Sequence, residues 1–179
     1  MDNPSRQRDH LAEDLVSDIT AAFQDVHYPG HDHIAYDQTG SHSECSEVAA
    51  AFRGKCWQDI DLPTLVRESS AVFFFTPAAF SYYLPAYLRA AILNHDDADV
   101  VPDTVVHSFV MPANADDRVS YDQRVSALSS RQLSAIKTVF LYLKRAYPDD
   151  NIMGDIDKAV DQVSAEINRG LGHNKLYKR

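Results

Sequence analysis

Between residues 11 and 26 apolar side chains return every three or four positions: Leu11, Leu15, Ile19, Phe23 and Val26, with Val16 and Ala22 beside them. That interval holds one apolar stripe on an α-helix and leaves Glu13, Asp14, Asp18 and Asp25 outside it. Pro4 suits a first helical turn and Tyr28-Pro29-Gly30 stops the run, so the spacing predicts a helix over about 4–27. Residues 28–42 then read as a loop with one short strand around Ile34. Ser41 or Ser43 caps a second helix carrying Val48, Ala51 and Phe52, and Gly54 closes it in the left-handed conformation. Trp57 and Ile60 follow, and Asp61 with Pro63 opens a short helix bearing Leu65 and Val66.

The stretch 71–94 is the most apolar of the chain. Val72 to Phe75 could pass for a buried strand, although nothing nearby offers it a partner. Thr76-Pro77 is a strong helix start, a capping hydroxyl followed by proline at the first position. Pro85 interrupts that helix: it has no N–H for the Ser81 carbonyl and its ring crowds that group, so a kink or break is expected there. Residues 94–118 read as a long connection with one short helix inside. Ser129 or Ser130 caps the next helix, whose face is Leu133, Ile136, Val139, Phe140 and Leu143 and whose end is Pro148. A last helix over about 155–169 carries Ile156, Val160, Val163 and Ile167, and Gly170 stops it before a flexible tail, residues 170–179. The pattern is that of an all-α protein. It predicts one domain over 1–179 with at least five helices, a central helix kinked or broken at Pro85, and at most one minor strand pair.

Composition narrows the function. With 45% hydrophobic and 24% charged residues in 179, the chain resembles ordinary globular domains and excludes disordered or low-complexity classes. Seventeen Lys and Arg face 26 Asp and Glu, and a net charge of −9 repels phosphate, so neither nucleic acid nor an anionic membrane is expected as a partner. The basic residues Arg169, Lys175, Lys178 and Arg179 gather in the tail, where no acid stands. Aspartate outnumbers glutamate 21 to 5, which marks helix caps and turns more than helix interiors. The acidic segment DDADVVPD at 96–103 lacks the glycine and distal glutamate of a calcium loop. Cys45 and Cys56 form no C-x-x-C pair, no apolar run is long enough to span a membrane, and the first residues lead into no secretory core. Free thiols and a cytoplasmic location are expected.

Three segments then fall in a familiar order: FRGKCWQDI at 52–60, FTPAAFSYYLPAYL at 75–88, and SRQ at 130–132 before an apolar helix. Together they resemble a family of small uncharacterised bacterial proteins, over roughly residues 10–147. The resemblance implies a compact, soluble, mostly helical bacterial protein and brings no activity with it. The histidine-rich loop 27–42 and the last helix lie outside those segments.

No G-x-S-x-G, Walker loop, G-x-G-x-x-G or H-E-x-x-H is present, so the common hydrolase, nucleotide and zinc-protease readings have no motif behind them. One dense cluster remains: His27, His31, His33 and His42, with Asp32, Asp37, Glu44 and Cys45 nearby. Imidazoles at alternate positions of an extended segment can share a zinc ion, and a third ligand would leave a place for an activated water. An exposed polar loop is the plainer reading of the same residues. Cys45 beside His42 at a helix start could be a lowered-pKa thiol, against the plainer reading of a small buried cysteine. Phe80, Tyr83, Leu84, Tyr87 and Ala91 form a helical stripe, usually core. With Trp57, Tyr82, Tyr83 and Arg89 the same region could instead line a groove for a protein partner. The leading expectation is a non-enzymatic cytoplasmic protein that binds or regulates an unidentified protein partner. The alternative is a metal-dependent hydrolase using loop 27–42.

Overall fold

A computed structural model describes residues 4–37, 42–150 and 154–176. Among them the chain forms nine α-helices: α1 (Pro4–Phe23), α2 (Ser43–Phe52), α3 (Leu62–Arg67), α4 (Ala71–Phe74), α5 (Pro77–Leu93), α6 (Val101–His107), α7 (Ala115–Ser126), α8 (Ser130–Ala146) and α9 (Asp155–Leu176). Two single 3-10 turns, at Trp57–Asp59 and Pro148–Asp150, complete the elements. The only pairing of β type among the described residues is an isolated antiparallel bridge between Ala35 and Phe75. The all-α expectation holds, and no helix among the described residues is long and apolar enough to cross a membrane.

Local chemistry sets most helix starts. The Asp61 carboxylate accepts from the Thr64 N–H at 2.9 Å, and the Thr76 hydroxyl accepts from the Ala79 N–H at 3.2 Å. Ser129 and Gln132 make a complete capping box at the head of α8. The start of α2 differs from expectation. His42 holds the cap position without a side-chain bond, Ser43 is already helical, and Ser41 lies outside the described residues. Gly54 does take the left-handed conformation, φ +72°, just past that helix.

Three other segments differ from or narrow the expectation. Ala71–Phe74 is the short helix α4, so the strand that Val72 to Phe75 could have formed is absent, and the end of α4 meets the incoming loop: the Tyr36 N–H donates to the Phe74 carbonyl and the Thr76 N–H to the Ile34 carbonyl. Of the kink or break expected at Pro85 the break is absent: helix α5 is continuous from Pro77 to Leu93. An internal proline costs about 3 kcal/mol. Every residue from Ser81 to Leu88 is buried, and each large apolar side chain so buried contributes about 1.5–3 kcal/mol, so packing outweighs the missing bond. Finally, α9 does not stop at Gly170 but continues to Leu176. Glycine there serves close approach: a Cβ would come within 3.1 Å of Ser130 Oγ at the head of α8. The predicted tail is therefore helical as far as Leu176, and residues 177–179 lie outside the described part.

One core collects all of these elements. Helix α5 is its axis, with α1, α6, α7 and α8 against it, and α9 lies along α8 and against α6. Around α5 the rings of Phe52, Phe75, Tyr83 and Tyr87 interlock at centroid distances of 4.9–6.3 Å.

Candidate functional site

Helix α7 owes its start to Asn114, whose side-chain oxygen accepts from the Asp116 N–H at 3.1 Å, and Asp116 and Asp117 in the first turn suit the helix dipole. Arg118 donates from Nε and Nη2 to the Pro112 carbonyl at 3.4 and 3.3 Å, which folds the preceding segment back over the helix. Asp117, Ser120, Tyr121 and Arg124 stand at i, i+3, i+4 and i+7 of α7 and so share a face. That face, the end of α6 and Phe73 enclose an open cleft of about 620 Å³. The volume is in the range of small-molecule sites. Phe73, Val110, Met111 and Pro112 supply apolar wall, and His107 stands at the α6 end.

Arg124 is the unusual member. It is 5% exposed, yet among the described residues no carboxylate pairs with it. The guanidinium lies 5.6 Å over the Phe80 ring, and its Nη1 makes a long contact, 3.5 Å, to the Phe73 carbonyl. Its Nε is buried without any hydrogen-bond partner. Burial pulls the pKa of this guanidinium down, and Tyr36, by its charge and by a side-chain hydrogen bond, pulls it back up together with Tyr121 and Asp117. Tyr36 arrives there because the Ala35–Phe75 bridge fixes its strand-like loop beside α4. A buried guanidinium with a donor left over is costly unless an acceptor reaches it.

The rest of the lining offers little for bond-making. The Ser108 hydroxyl donates to the Val105 carbonyl at 2.7 Å and the Tyr121 hydroxyl to the Phe109 carbonyl at 3.3 Å, so both are committed to backbone. His107 Nδ1 is 3.2 Å from the Asp155 carboxylate, and its ring meets Phe73 edge-on at 6.2 Å. Asp155 is held below the usual carboxylate range first by its bond from Lys158, with burial opposing and His107 adding to the lowering. The arrangement can hold an acid against a cation under an apolar wall.

The residues singled out for a partner groove lie elsewhere. Trp57, Tyr82 and Tyr83 are 4%, 8% and 0% exposed and belong to the core, since α5 is covered on every side. Tyr82, off the main stripe, packs edge-on against Tyr28 and Tyr83 and is pushed up to about 12 by burial, with Cys56 adding to it. The Tyr83 hydroxyl donates to the Phe52 carbonyl at 2.7 Å. Arg89 is half-buried and reaches the Gln58 carbonyl at 3.3 Å, beside a recess of about 60 Å³. That is room for about two waters.

His27, His31, His33 and His42 are all exposed. His31 Nδ1 lies 3.4 Å from the Tyr28 hydroxyl, which itself accepts from the Gly54 N–H at 2.8 Å. Among the described residues no three His, Cys, Asp or Glu side chains are grouped as a metal ion requires. Cys45 is buried in the core. Arg124 was missed by the motif search, although a signal existed. Tyr121, Val125 and Leu128 make an apolar stripe, and Arg124 falls into it as its one charge.

The molecule is thus an all-α chain whose candidate site is a cleft over a buried, under-bonded arginine. Its residues 11–164 match the family of unknown function DUF6714, and the chain belongs to that family. The match takes in the histidine loop and the first ten residues of α9, both outside the three segments that carried the resemblance. No curated protein and no solved structure matches the chain.

Proposed function

We propose that this protein is a binding protein, not a catalyst, and that it captures an acidic small molecule in the Arg124 cleft. The observation that carries the reading is the Arg124 guanidinium: nine-tenths buried, lining an open cleft, its enclosed Nε unbonded, and paired with no carboxylate among the described residues. A hydrogen bond to a charged group contributes about 1.5–3 kcal/mol, and here the cost of burying the cation is already met by folding, so an incoming acid recovers most of that value. The net charge of −9 does not forbid it, because exposed charges beyond about 8 Å are screened at physiological salt while a buried cation is not. The same charge turns away polyanions and leaves the cleft to small acids. The committed hydroxyls of Ser108 and Tyr121 support binding over chemistry.

The reading is tested by thermal shift and calorimetry with a panel of carboxylic acids, each against its neutral amide. Acids with an apolar body are expected to raise the melting temperature and their amides to leave it unchanged. The Arg124→Met variant, folded by circular dichroism, is expected to lose the response. A panel in which acids and amides behave alike removes the reading.

A further inference from the structure

The cleft holds two opposite charges on one helix face, and this suggests what kind of acid it takes. We propose that its ligand is the zwitterion of a free amino acid with an apolar side chain, its carboxylate on Arg124 and its ammonium on Asp117. The inference rests on the Arg124 cleft being a binding site.

Asp117 and Arg124 both line the cleft and stand seven residues apart on α7. At about 1.5 Å of rise per residue their Cα atoms are separated by roughly 10 Å along the axis. Helical side chains lean toward the N-terminus, so the long arginine reaches back toward Asp117 and shortens the gap between the charges. The gap does not close: the two form no direct ion pair, although Asp117 is near enough to act on the guanidinium. A carboxylate and an ammonium joined through one carbon answer both charges at once, each by a charge-assisted hydrogen bond. Ser120 and Tyr121 lie between the two charged residues on that face. The apolar wall of Phe73, Val110 and Met111 then receives a hydrocarbon or thioether side chain, and Met111 adapts to its shape.

Asp117 also argues against the other acids. A plain fatty acid or a phosphate would bring a second negative charge toward it with nothing in return, and like charges in one partly enclosed site are destabilising. A peptide C-terminus has the carboxylate but no ammonium at the adjacent carbon, so half of the face goes unused.

Calorimetry at neutral pH with leucine, methionine, N-acetyl-leucine and leucinamide tests the assignment on the full chain. Leucine and methionine should bind, and each blocked derivative should bind at least about tenfold more weakly, the effect of losing one charged contact of about 1.4 kcal/mol. Asp117 is exposed, so Asp117→Asn is expected to fold; it should weaken leucine to the level of N-acetyl-leucine and leave N-acetyl-leucine unchanged. If N-acetyl-leucine binds as tightly as leucine, or Asp117→Asn leaves leucine binding intact, the zwitterion assignment is overturned while the Arg124 site stands. If no carboxylate in the panel binds, both fall together.

Discussion

Helices α5 and α7 meet across Phe80 and treat polar groups in opposite ways. In α5 the two fully buried tyrosines both have a backbone acceptor: Tyr83 donates to Phe52 and Tyr87 to Glu68, both at 2.7 Å. The pKa values of both tyrosines are pushed well above the ordinary range, chiefly by burial. In α7 a buried guanidinium lies over the edge of that same core, its Nε enclosed and unbonded, and the residue lines an open cleft. A helix that serves only as a core seals its polar atoms. One that keeps an acceptor-hungry cation at the floor of a cleft stores a cost that a ligand can relieve. The difference marks α7, not the more conspicuous α5, as the working surface.

The largest effect expected on the sealed side is from Phe52→Ala, which removes a ring packed against Phe75, Tyr83 and Tyr87. It should lower stability by about 3–5 kcal/mol in urea unfolding. Tyr87→Phe keeps the ring and strands the Glu68 carbonyl, and should cost about 1–3 kcal/mol in the same measurement. A loss near zero would mean that water reaches that carbonyl and that α5 is less sealed than its contacts imply.

Alkali probes both regions at once. Burial raises Tyr82 on the α5 side and Tyr121 on α7 to about 12. In the unfolded chain tyrosine ionises near 10. The stability these residues give is therefore complete below about pH 10 and is lost as pH rises from there through about 12, because the unfolded state releases its protons first. Urea midpoints measured across that window should fall, and Tyr82→Phe combined with Tyr121→Phe should flatten the decline.

The smallest effect on stability, and the most telling, is expected from Arg124→Met. Replacing a buried, under-bonded charge by an apolar side chain of similar length should leave the urea midpoint unchanged or raise it, while binding of the acid panel is lost. A clear destabilisation would make Arg124 a structural residue and erase the contrast between the two helices.

Much of the fold could be read from the chain because its signals are local. Thr76-Pro77, Asp61-Pro63 and the Ser129–Gln132 box each announce a helix start through a bond made within three residues. The recurrence of Leu15, Ile19 and Phe23 shows which face of α1 is buried. What stayed open turned on distant contacts. Val72 to Phe75 could pass for a strand, and only the packed chain shows a helix there, its end bonded to the loop carrying Ile34 to Tyr36, some forty residues away. Between core and partner groove, periodicity could not choose for Trp57 and Tyr82; both are buried.

The sequence by itself determined where α1, α3, α5 and α8 begin, which stripes are apolar, that the chain is all-α, and that it is acidic with two free thiols, because these follow from bonds and spacings a few residues long; it did not show α7, whose start lies in a segment that reads as a connection. Only the tertiary structure decided that Pro85 is carried without a break and that Gly170 is a point of close approach between helices. It also decided that an arginine in a modest apolar stripe becomes the floor of a cleft. Each of these depends on which surfaces remote segments cover, and burial is a property of the packed molecule that no local window of sequence contains.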